Sequence, residues 1–317
     1  MIPVRDYLEF LSKEYLGDYV AGGGAAVKFV VAPDDAVAAE FASGFETAAL
    51  AQRYAVAKID SAETKVHLLE HVFFDLARQV DWDGLAQLAT ARAVTAAGYP
   101  PPPDGDTSLD RLADYHRVEV GELKRDVDRQ LQDQVHRDYA MVAEFRTAML
   151  RLCQAQLRSG QVADAEHAAV LEWLRGDLRQ MAALRSALIF RRIGRHNARA
   201  LLFSLAHWPA INDRAGLALL VHIRRFGFAR RPSPEERQGH YYTRTALLDA
   251  YEVLRQLVDN TDEMAHCVVA VVASPAFLSD PARGLDAYQA LKLRVFDEVR
   301  DAHRDNPLSC LIRLEAA

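Results

Sequence analysis

The segment AAVKFVVAPDDAVAAEFASGF, residues 25–45, decides the fold because it combines a strand, a turn and a helix. The apolar run at residues 27–31 is typical of a buried strand. Pro33, Asp34 and Asp35 then favour a turn, and an alanine-rich stretch typical of a helix follows. Such a segment fits an ordinary turn and helix N-cap. It also fits the phosphate-binding loop of a nucleotide-binding domain, which has the same layout.

The residues that would hold a phosphate are absent from this segment. A P-loop, G-x-x-x-x-G-K-[ST], uses glycines so that backbone N–H groups can surround the phosphates, a lysine to neutralise charge and a hydroxyl to bind Mg²⁺. Laid without gaps after the strand, its four defining positions fall on Ala32, Val37, Ala38 and Ala39. Asp34 and Asp35 lie inside the loop, where two carboxylates would repel a polyphosphate. The sequence therefore predicts poor ATP binding.

The segment GLALLVHIRRFGF, residues 216–228, indicates the same loss. It contains a short apolar run of buried-strand type. In a P-loop ATPase such a strand ends in Asp, often followed by Glu, for Mg²⁺ binding and water activation. His222 and Ile223 hold these two positions. Because the metal-binding and phosphate-binding halves fail together, a degenerate nucleotide site is favoured over an unrelated turn.

The order of the predicted elements indicates an α/β fold that is interrupted by a helical region. Residues 26–31, 37–53 and 54–59 predict a βαβ unit with parallel strands. The proline-rich run YPPPPDG at residues 99–105 is a linker. The residues that follow, to about residue 193, predict almost only helices. They carry charges of both signs, which is typical of solvated helix faces.

Strands return in the last third of the chain. The predicted strands there are residues 217–223, 266–273 and 309–314, and the predicted helices are residues 197–208, 245–258 and 285–300. We therefore expect residues 1–99 to form the first half of an α/β core, residues 100–193 a helical insertion and residues 194–317 the second half.

Composition and charge limit the classes of function. The chain of 317 residues has a formal net charge of -6, which gives no overall attraction to nucleic acid. Its three cysteines, Cys153, Cys267 and Cys310, are odd in number and lack metal-type spacing, as expected of reduced thiols. The N-terminus lacks the uninterrupted apolar core of a signal peptide, and no run has the length of a membrane span. A cytoplasmic location without a membrane partner is expected.

The densest positive segments offer a local exception to the acidic balance. They are residues 191–199, the pair Arg224 and Arg225 after the predicted third strand, and the pair Arg230 and Arg231, which lies outside the residues that the structure describes; Phe226 and Phe228 are interleaved with these pairs. Arginines beside aromatic side chains can contact phosphates and stack on bases, although arginines at helix starts and strand ends also pair with carboxylates of a partner. The candidate nucleic-acid contacts are Arg191, Arg192, Arg195, Arg199, Arg224 and Arg225.

The last third contains a series of short motifs. They are Leu254, Arg255, Leu257, Val258 and Asp259; Ser274, Pro275, Ala276, Phe277 and Leu278; Tyr288, Ala290 and Leu291; and Arg313 and Leu314. In these motifs the chain resembles the P-loop ATP-binding family of BREX-type bacterial phage-defence systems. In that family a helix ending in LR-x-L-[IV]-D precedes a strand, a T-P-E-F-F-like turn, a Tyr-x-Ala-Leu helix and a closing Arg-Leu strand. The segment EYLGDYVAGGGAAVKFVV, residues 14–31, also looks like the family's entry into its first strand.

The resemblance implies a P-loop NTPase-like fold of the AAA-like (ASCE) class, with a parallel sheet flanked by helices. It also implies a place in a multi-subunit antiphage system, beside an active ATPase paralogue, a nuclease or a DNA-modifying enzyme. ATP hydrolysis would follow too, but Ala38 replaces the phosphate-binding lysine, Ala39 the Mg²⁺ hydroxyl and His222 the metal-binding Asp. The activity is therefore not carried over, and no cofactor is expected.

Two further positions follow from the resemblance. Ser274 matches the polar residue that senses the γ-phosphate, although a serine before Pro275 also forms turns. Arg283 lies in a Pro-Ala-Arg-Gly turn that could project it across a subunit interface as a trans-acting arginine. The sequence HLLEH at residues 67–71 is close to a zincin-like pattern, but the family resemblance makes it a chance match, and no metal site is predicted.

These observations favour a pseudo-ATPase that serves as a scaffold or regulatory subunit. Two alternatives stay open. One is an active ATPase with an unorthodox phosphate loop that uses Lys28 or the triple glycine at residues 22–24. The other is a DNA-binding defence component built on the basic segments.

Overall fold

The computed structural model describes residues 1–158, 165–228, 239–296 and 306–316. The chain forms two compact units. Residues 1–76 and 209–317 form the first, which we call the α/β unit, and residues 77–208 form the second, which we call the helical unit.

A parallel sheet forms the centre of the α/β unit. Among the described residues it has six strands, in the order β1-β6-β2-β5-β4-β3. The strands are β1 Ile2–Pro3, β2 Ala25–Val31, β3 Ala55–Asp60, β4 Leu217–His222, β5 Cys267–Ala273 and β6 Leu311–Glu315. Every residue of β2 and of β5 is buried, which explains why both read as continuous apolar runs instead of alternating ones.

Helices cover both faces of this sheet. On one face, Phe41 and Phe45 of the second helix pack with Tyr7 of the first helix and with Val30 of β2. On the other face, Phe29 stacks on Phe277, with ring centroids 5.7 Å apart. The helices of this unit are α1 Val4–Phe10, continued by a π-helical stretch Leu11–Tyr19, α2 Asp35–Ala51, α3 Leu69–Gln79, α10 Arg244–Asp259, α11 Ala276–Ser279 and α12 Gln289–Val295.

The strand order differs in one respect from a simple βαβ unit. β2 and β3 are parallel, but β5 and β4 lie between them. The apolar runs predicted the strands within two residues, but β1 was not predicted, because two residues carry no periodicity. The predicted helix at residues 285–300 begins later, at Gln289, after a 3₁₀ turn at Leu285–Ala287, and its residues 297–300 lie outside the described part of the chain.

The helical unit has its own apolar core, in which Trp82 packs against Phe145 with ring centroids 6.1 Å apart. Its boundaries lie inside α3 and α9, at residues 76/77 and 208/209, whereas the sequence placed the insertion at residues 100–193. The difference arises because α4, which precedes the proline-rich linker, packs on α6 and α7. The helices are α4 Trp82–Ala96, α5 Leu109–His116, α6 Val120–Leu131, α7 Ala143–Gln156, α8 Ala165–Arg175 and α9 Ala198–Ala210.

Candidate functional site

A cavity of about 660 Å³ lies at the carboxyl ends of β2, β3, β4 and β5. This edge of a parallel sheet is where ligands bind in open α/β proteins. The cavity brings together the loop after β2 and the segment after β4, which are far apart in sequence. The predicted site residues that line it are Ala32, Asp34, Asp35, Ala38, Ala39, His222 and Ser274.

Asp34 occupies the N-terminus of α2. It is the N-cap, and its Oδ1 accepts a hydrogen bond from the backbone N–H of Val37 at 2.9 Å. A helix N-terminus attracts anions because its first N–H groups lack partners within the helix and the helix dipole is positive there. Here a carboxylate of the chain itself uses one of these donors. The local structure is therefore the turn and N-cap that the sequence offered as its simpler interpretation.

Val37, Ala38 and Ala39, near the start of α2, carry apolar side chains. Val37 is 3% exposed and packs in the core beneath α2, together with Ala32. Ala38 and Ala39 line the cavity. These positions therefore present methyl groups to the cavity, and they supply neither positive charge nor a Mg²⁺ ligand.

An ion pair joins the two loops at the cavity. The guanidinium of Arg224, two residues beyond β4, contacts the carboxylate of Asp35, at the start of α2. Its neighbour Arg225 donates from Nε to the backbone carbonyl of His240 at 3.1 Å, and its guanidinium lies 4.4 Å from the ring centre of Phe228. The sequence placed both arginines among candidate nucleic-acid contacts, whereas the structure places them in the cavity wall.

The end of β4 carries an imidazole in place of a metal-binding carboxylate. Burial lowers the pKa of His222, an effect that Asp60 partly opposes. Asp60 ends β3 directly beside His222 in the sheet register, lines the cavity, and accepts the backbone N–H of Ala62 at 2.7 Å. The predicted partner position, Ile223, is buried and donates its backbone N–H to Val272. It therefore contributes no polar side chain to the site.

The sequence allows two interpretations of Asp60, a place at the carboxyl end of a strand, where ligands bind, and capping of the next helix, which is preferred. In the structure α3 begins only at Leu69, so Asp60 caps the intervening turn instead. Asp60 also lines the cavity, as expected of a residue at the carboxyl end of a parallel strand.

Ser274 lies at the carboxyl end of β5, on the far wall of the same cavity. Its carbonyl accepts the backbone N–H of Phe277 at 3.0 Å, which closes the turn into α11. This backbone role agrees with the turn-forming interpretation and leaves the hydroxyl beside the cavity.

Arg283 does not project outward as a trans-acting arginine. Arg283 is only 8% exposed to solvent. Its Nε donates to the carbonyl of Phe226 at 2.7 Å, and its Nη2 donates to the carbonyl of Tyr242 at 2.8 Å. Because the guanidinium is buried and satisfies two backbone carbonyls, the expectation from the sequence is corrected: Arg283 ties together loops of its own chain.

Lys28 does not reach the cavity either. Its Nζ donates to the carbonyls of Leu308 and Ser309, at 2.7 and 3.1 Å, and lies 4.3 Å from the ring centre of Tyr15. These contacts belong to a separate cavity of about 420 Å³ at the beginning of β2. Burial lowers the pKa of Lys28 to about 8. The triple glycine also precedes β2, so neither feature of the alternative phosphate loop lies at the carboxyl end of the strand.

The remaining predicted basic residues belong to the helical unit. Arg191 forms an ion pair with Glu144 at 3.3 Å, and Arg192 donates from Nη2 to the carbonyl of Arg179 at 2.7 Å. Arg195 and Arg199 are exposed. These four residues therefore belong to the helical unit, whereas the cavity residues Arg224 and Arg225 belong to the α/β unit.

The zincin-like pattern at residues 67–71 does not form a helical pair of histidines. His67 precedes the first residue of α3, and its ring contacts the edge of Tyr242. Across the described residues, no group of three or more histidine, cysteine or acidic side chains is placed to hold a metal ion.

The fold and the cavity define an α/β protein with a parallel sheet and a site at the carboxyl ends of its strands. A protein-family model described as BREX system ATP-binding protein BrxC/D matches residues 241–317. This match supports a relationship to BREX phage-defence proteins. No curated protein and no solved structure matches the chain.

The matched segment contains β5 and β6 and the helices between and before them. It includes Ser274 and Arg283, but the loop after β2 and the end of β4 lie outside it. The match therefore covers the β5 side of the cavity and not the other loops that line it. None of the helices in the described residues combines the length and apolarity that crossing a bilayer requires.

Proposed function

We propose that this protein is a degenerate P-loop pseudo-ATPase that acts as a scaffold or regulatory subunit of a bacterial antiphage complex of the BREX type. The observation that carries the proposal is the occupation of the cavity by charges of the chain itself. Asp34 takes a helix N-terminal donor that would bind phosphate, and the ion pair between Asp35 and Arg224 joins the ends of two strands that nucleotide and Mg²⁺ would otherwise bridge.

The arrangement of the sheet supports a P-loop-like origin. In the AAA-like class that the sequence resembles, the phosphate-loop strand lies between the last strand and the sensor strand, and the metal-binding strand lies beyond the sensor strand. β2 lies between β6 and β5, and β4 lies beyond β5. This order of strands supports the proposal of an ATPase framework that lacks its reactive groups.

Electrostatics determines which ligand the cavity disfavours. Asp34, Asp35 and Asp60 place three carboxylates along its wall, against the two guanidinium groups of Arg224 and Arg225. One guanidinium already pairs with Asp35, so a triphosphate would meet uncompensated negative charge. A scaffold needs the folded framework and its surfaces, and it needs no turnover at this site.

A second candidate is an ATP-binding subunit in which an arginine takes the place of the missing phosphate-binding lysine. It is favoured by one observation, namely that a cavity persists at the expected place and is lined by two arginines. In this alternative, Arg224 would leave Asp35 and contact phosphates in place of the missing lysine. DNA binding by the cavity arginines is less well supported, because Arg225 is held by the backbone carbonyl of His240.

A substitution that adds negative charge to the cavity separates the two candidates. Ala39 is exposed near the start of α2 and lines the cavity, so Ala39→Glu places a carboxylate where a phosphate would lie. Glutamate is a good helix former and the position is exposed, so the fold is expected to tolerate it. The matched control is Ala39→Gln, which has nearly the same size without the charge.

The measurement is phage plaque formation on cells that carry the complete defence locus with each variant. The scaffold proposal predicts that deletion of the gene abolishes protection and that Ala39→Glu and Ala39→Gln both retain it. Loss of protection with Ala39→Glu alone, at unchanged protein level, would contradict the proposal and favour nucleotide binding.

A further inference from the structure

The helical unit carries a strongly basic stretch that is not part of the proposed degenerate nucleotide site. Residues 178–212 contain no aspartate, glutamate or lysine, although the chain as a whole is acidic. All six arginines of this stretch lie at residues 179–199, which we call the arginine segment. They are Arg179, Arg185, Arg191, Arg192, Arg195 and Arg199, and all six are exposed.

The arginine segment is held in one conformation although most of it lacks regular secondary structure. Trp173 of α8 donates from Nε1 to the carbonyl of Arg191 at 2.9 Å. Asn197 donates from Nδ2 to the carbonyl of Arg192 at 3.1 Å and accepts the N–H of Gly194. The bond from Arg192 to the carbonyl of Arg179 joins the later part of the segment to its first residue. These contacts fix the backbone, so the segment presents its side chains without a large ordering cost.

Buried and exposed side chains alternate along the middle of the segment. Ala187, Ile189 and Ile193 are buried and anchor it to the helical unit. Between them, Leu188 and Phe190 are 61% and 68% exposed. Leu188 also has a positive φ of 61°, which is uncommon for a bulky residue. An exposed phenylalanine therefore directly precedes two arginines, Arg191 and Arg192, in the same segment.

We propose that the arginine segment binds single-stranded nucleic acid, with the ring of Phe190 stacking on a base and the neighbouring guanidinium groups contacting phosphates. Aromatic platforms flanked by positive charge are how proteins bind single strands without sequence preference. The role goes beyond the scaffold function and rests on different residues, so each can fail without the other.

Two features favour a nucleic acid over an acidic protein segment. Arginine alone supplies the positive charge, and its planar guanidinium suits phosphate recognition and stacking better than an ammonium group does. The most exposed apolar side chain of the arginine segment is that of Phe190, whose aromatic ring offers a face to a base. The acidic side chains of a peptide have no aromatic face to match it. A duplex would hide its base faces from Phe190, so a single strand is the better occupant.

Fluorescence anisotropy of a labelled oligothymidylate with the purified full-length protein tests the proposal. Phe190→Ala is expected to weaken binding about five- to hundredfold, the range for loss of one stacked base. Arg195→Gln combined with Arg199→Gln is expected to weaken binding and to reduce the slope of log affinity against log salt by about 0.7 for each phosphate that the variant no longer neutralises.

Matched controls come from the same unit. Tyr139→Ala removes a ring that is 80% exposed, and Lys124→Gln combined with Arg125→Gln removes two exposed charges from α6. Both controls are expected to bind the oligonucleotide as the unaltered protein does. Circular dichroism of every variant checks that the helical unit remains folded.

Several outcomes would overturn the proposal. They are no binding of the single strand at low salt, equal weakening by the control variants, and unchanged binding in Phe190→Ala. Preferential binding of polyglutamate would indicate an acidic protein partner instead. Binding to anionic lipid vesicles without binding to the oligonucleotide would indicate a membrane surface.

Discussion

At the scale of single residues, the site is decided by which charge occupies the N-terminus of α2. In a working P-loop the helix donors bind a phosphate, whereas here Asp34 accepts the N–H of Val37. In the proposed pseudo-ATPase, Ala38 and Ala39 would remove attraction for phosphate, and the carboxylates of Asp34 and Asp35 would add repulsion. We therefore expect the cavity to disfavour a phosphate more than the absence of a lysine alone would.

Removal of the Asp34 carboxylate tests its structural role. Asp34→Ala is expected to lower the free energy of unfolding by about 1 kcal/mol, the usual cost of losing an N-cap. Asp34→Asn is the matched control, because asparagine caps helices about as well and should stay within a few tenths of the original stability. Urea denaturation followed by circular dichroism measures both. Equal stability of the Ala and Asn variants would show that the cap is not formed.

Arg283 offers a test of the corrected assignment. Arg283→Ala leaves the carbonyls of Phe226 and Tyr242 without a donor in a buried place, so we expect a loss of about 2 kcal/mol or more in the free energy of unfolding. Arg244→Ala, which removes a nearby exposed arginine, is the control and should cost less than about 1 kcal/mol. An Arg283→Ala variant as stable as the original protein would restore the possibility of an outward-facing arginine.

The lowered pKa of His222 predicts that the stability of the protein depends on pH. Its pKa in the folded protein lies below the ordinary value because of burial, so the unfolded chain binds a proton more readily. The stability due to neutral His222 is therefore complete above pH 6.5 and is lost as the pH falls below it. His222→Asn should lose less stability than the original protein between pH 7 and pH 5.5, measured by urea denaturation. Identical pH profiles would contradict this account.

At the scale of elements, the strands were predictable and the contacts between their loops were not. β2 and β5 are buried on both faces, so their sequences are continuous apolar runs that identify them directly. The ion pair between Asp35 and Arg224 depends on β2 and β4 ending at the same edge with one strand between them. No local pattern encodes that meeting, which is why Arg224 was assigned to nucleic acid instead.

The start of β4 depends on the backbone conformation of a single residue, Gly216. Gly216 has a φ of 144°, and a Cβ at this residue would lie 2.1 Å from the carbonyl oxygen of His266. Gly216→Ala is therefore expected to cost at least about 2 kcal/mol of stability, since both strain and displacement of the strand oppose it. Gly121→Ala, where a Cβ meets no atom within 4 Å, should be neutral or stabilise α6 by up to about 1 kcal/mol.

Thermal unfolding of the two glycine variants provides the comparison. We expect a clearly lower midpoint for Gly216→Ala and an unchanged or higher midpoint for Gly121→Ala. If Gly216→Ala unfolded at the same temperature as the original protein, that result would contradict the close approach of Gly216 to the carbonyl oxygen of His266.

At the scale of the whole molecule, the sequence predicted an α/β core with a helical insertion at residues 100–193, whereas the compact units of the structure divide at residues 76/77 and 208/209. Proline-rich linkers are local signals, whereas membership of a compact unit depends on which helices pack together. α4 precedes the linker at residues 99–105 yet packs with α6 and α7, so the helical unit begins at residue 77. The framework of the site was recoverable because both of its loops follow strands of the α/β unit.

The central claim is that the cavity has lost nucleotide binding while the fold has been retained. Isothermal titration calorimetry of the full-length protein with ATP and Mg²⁺ tests it most directly. We predict no saturable heat, corresponding to a dissociation constant weaker than about 1 mM. Micromolar binding that requires Mg²⁺ and is abolished by Ala39→Glu but not by Ala39→Gln would contradict the account.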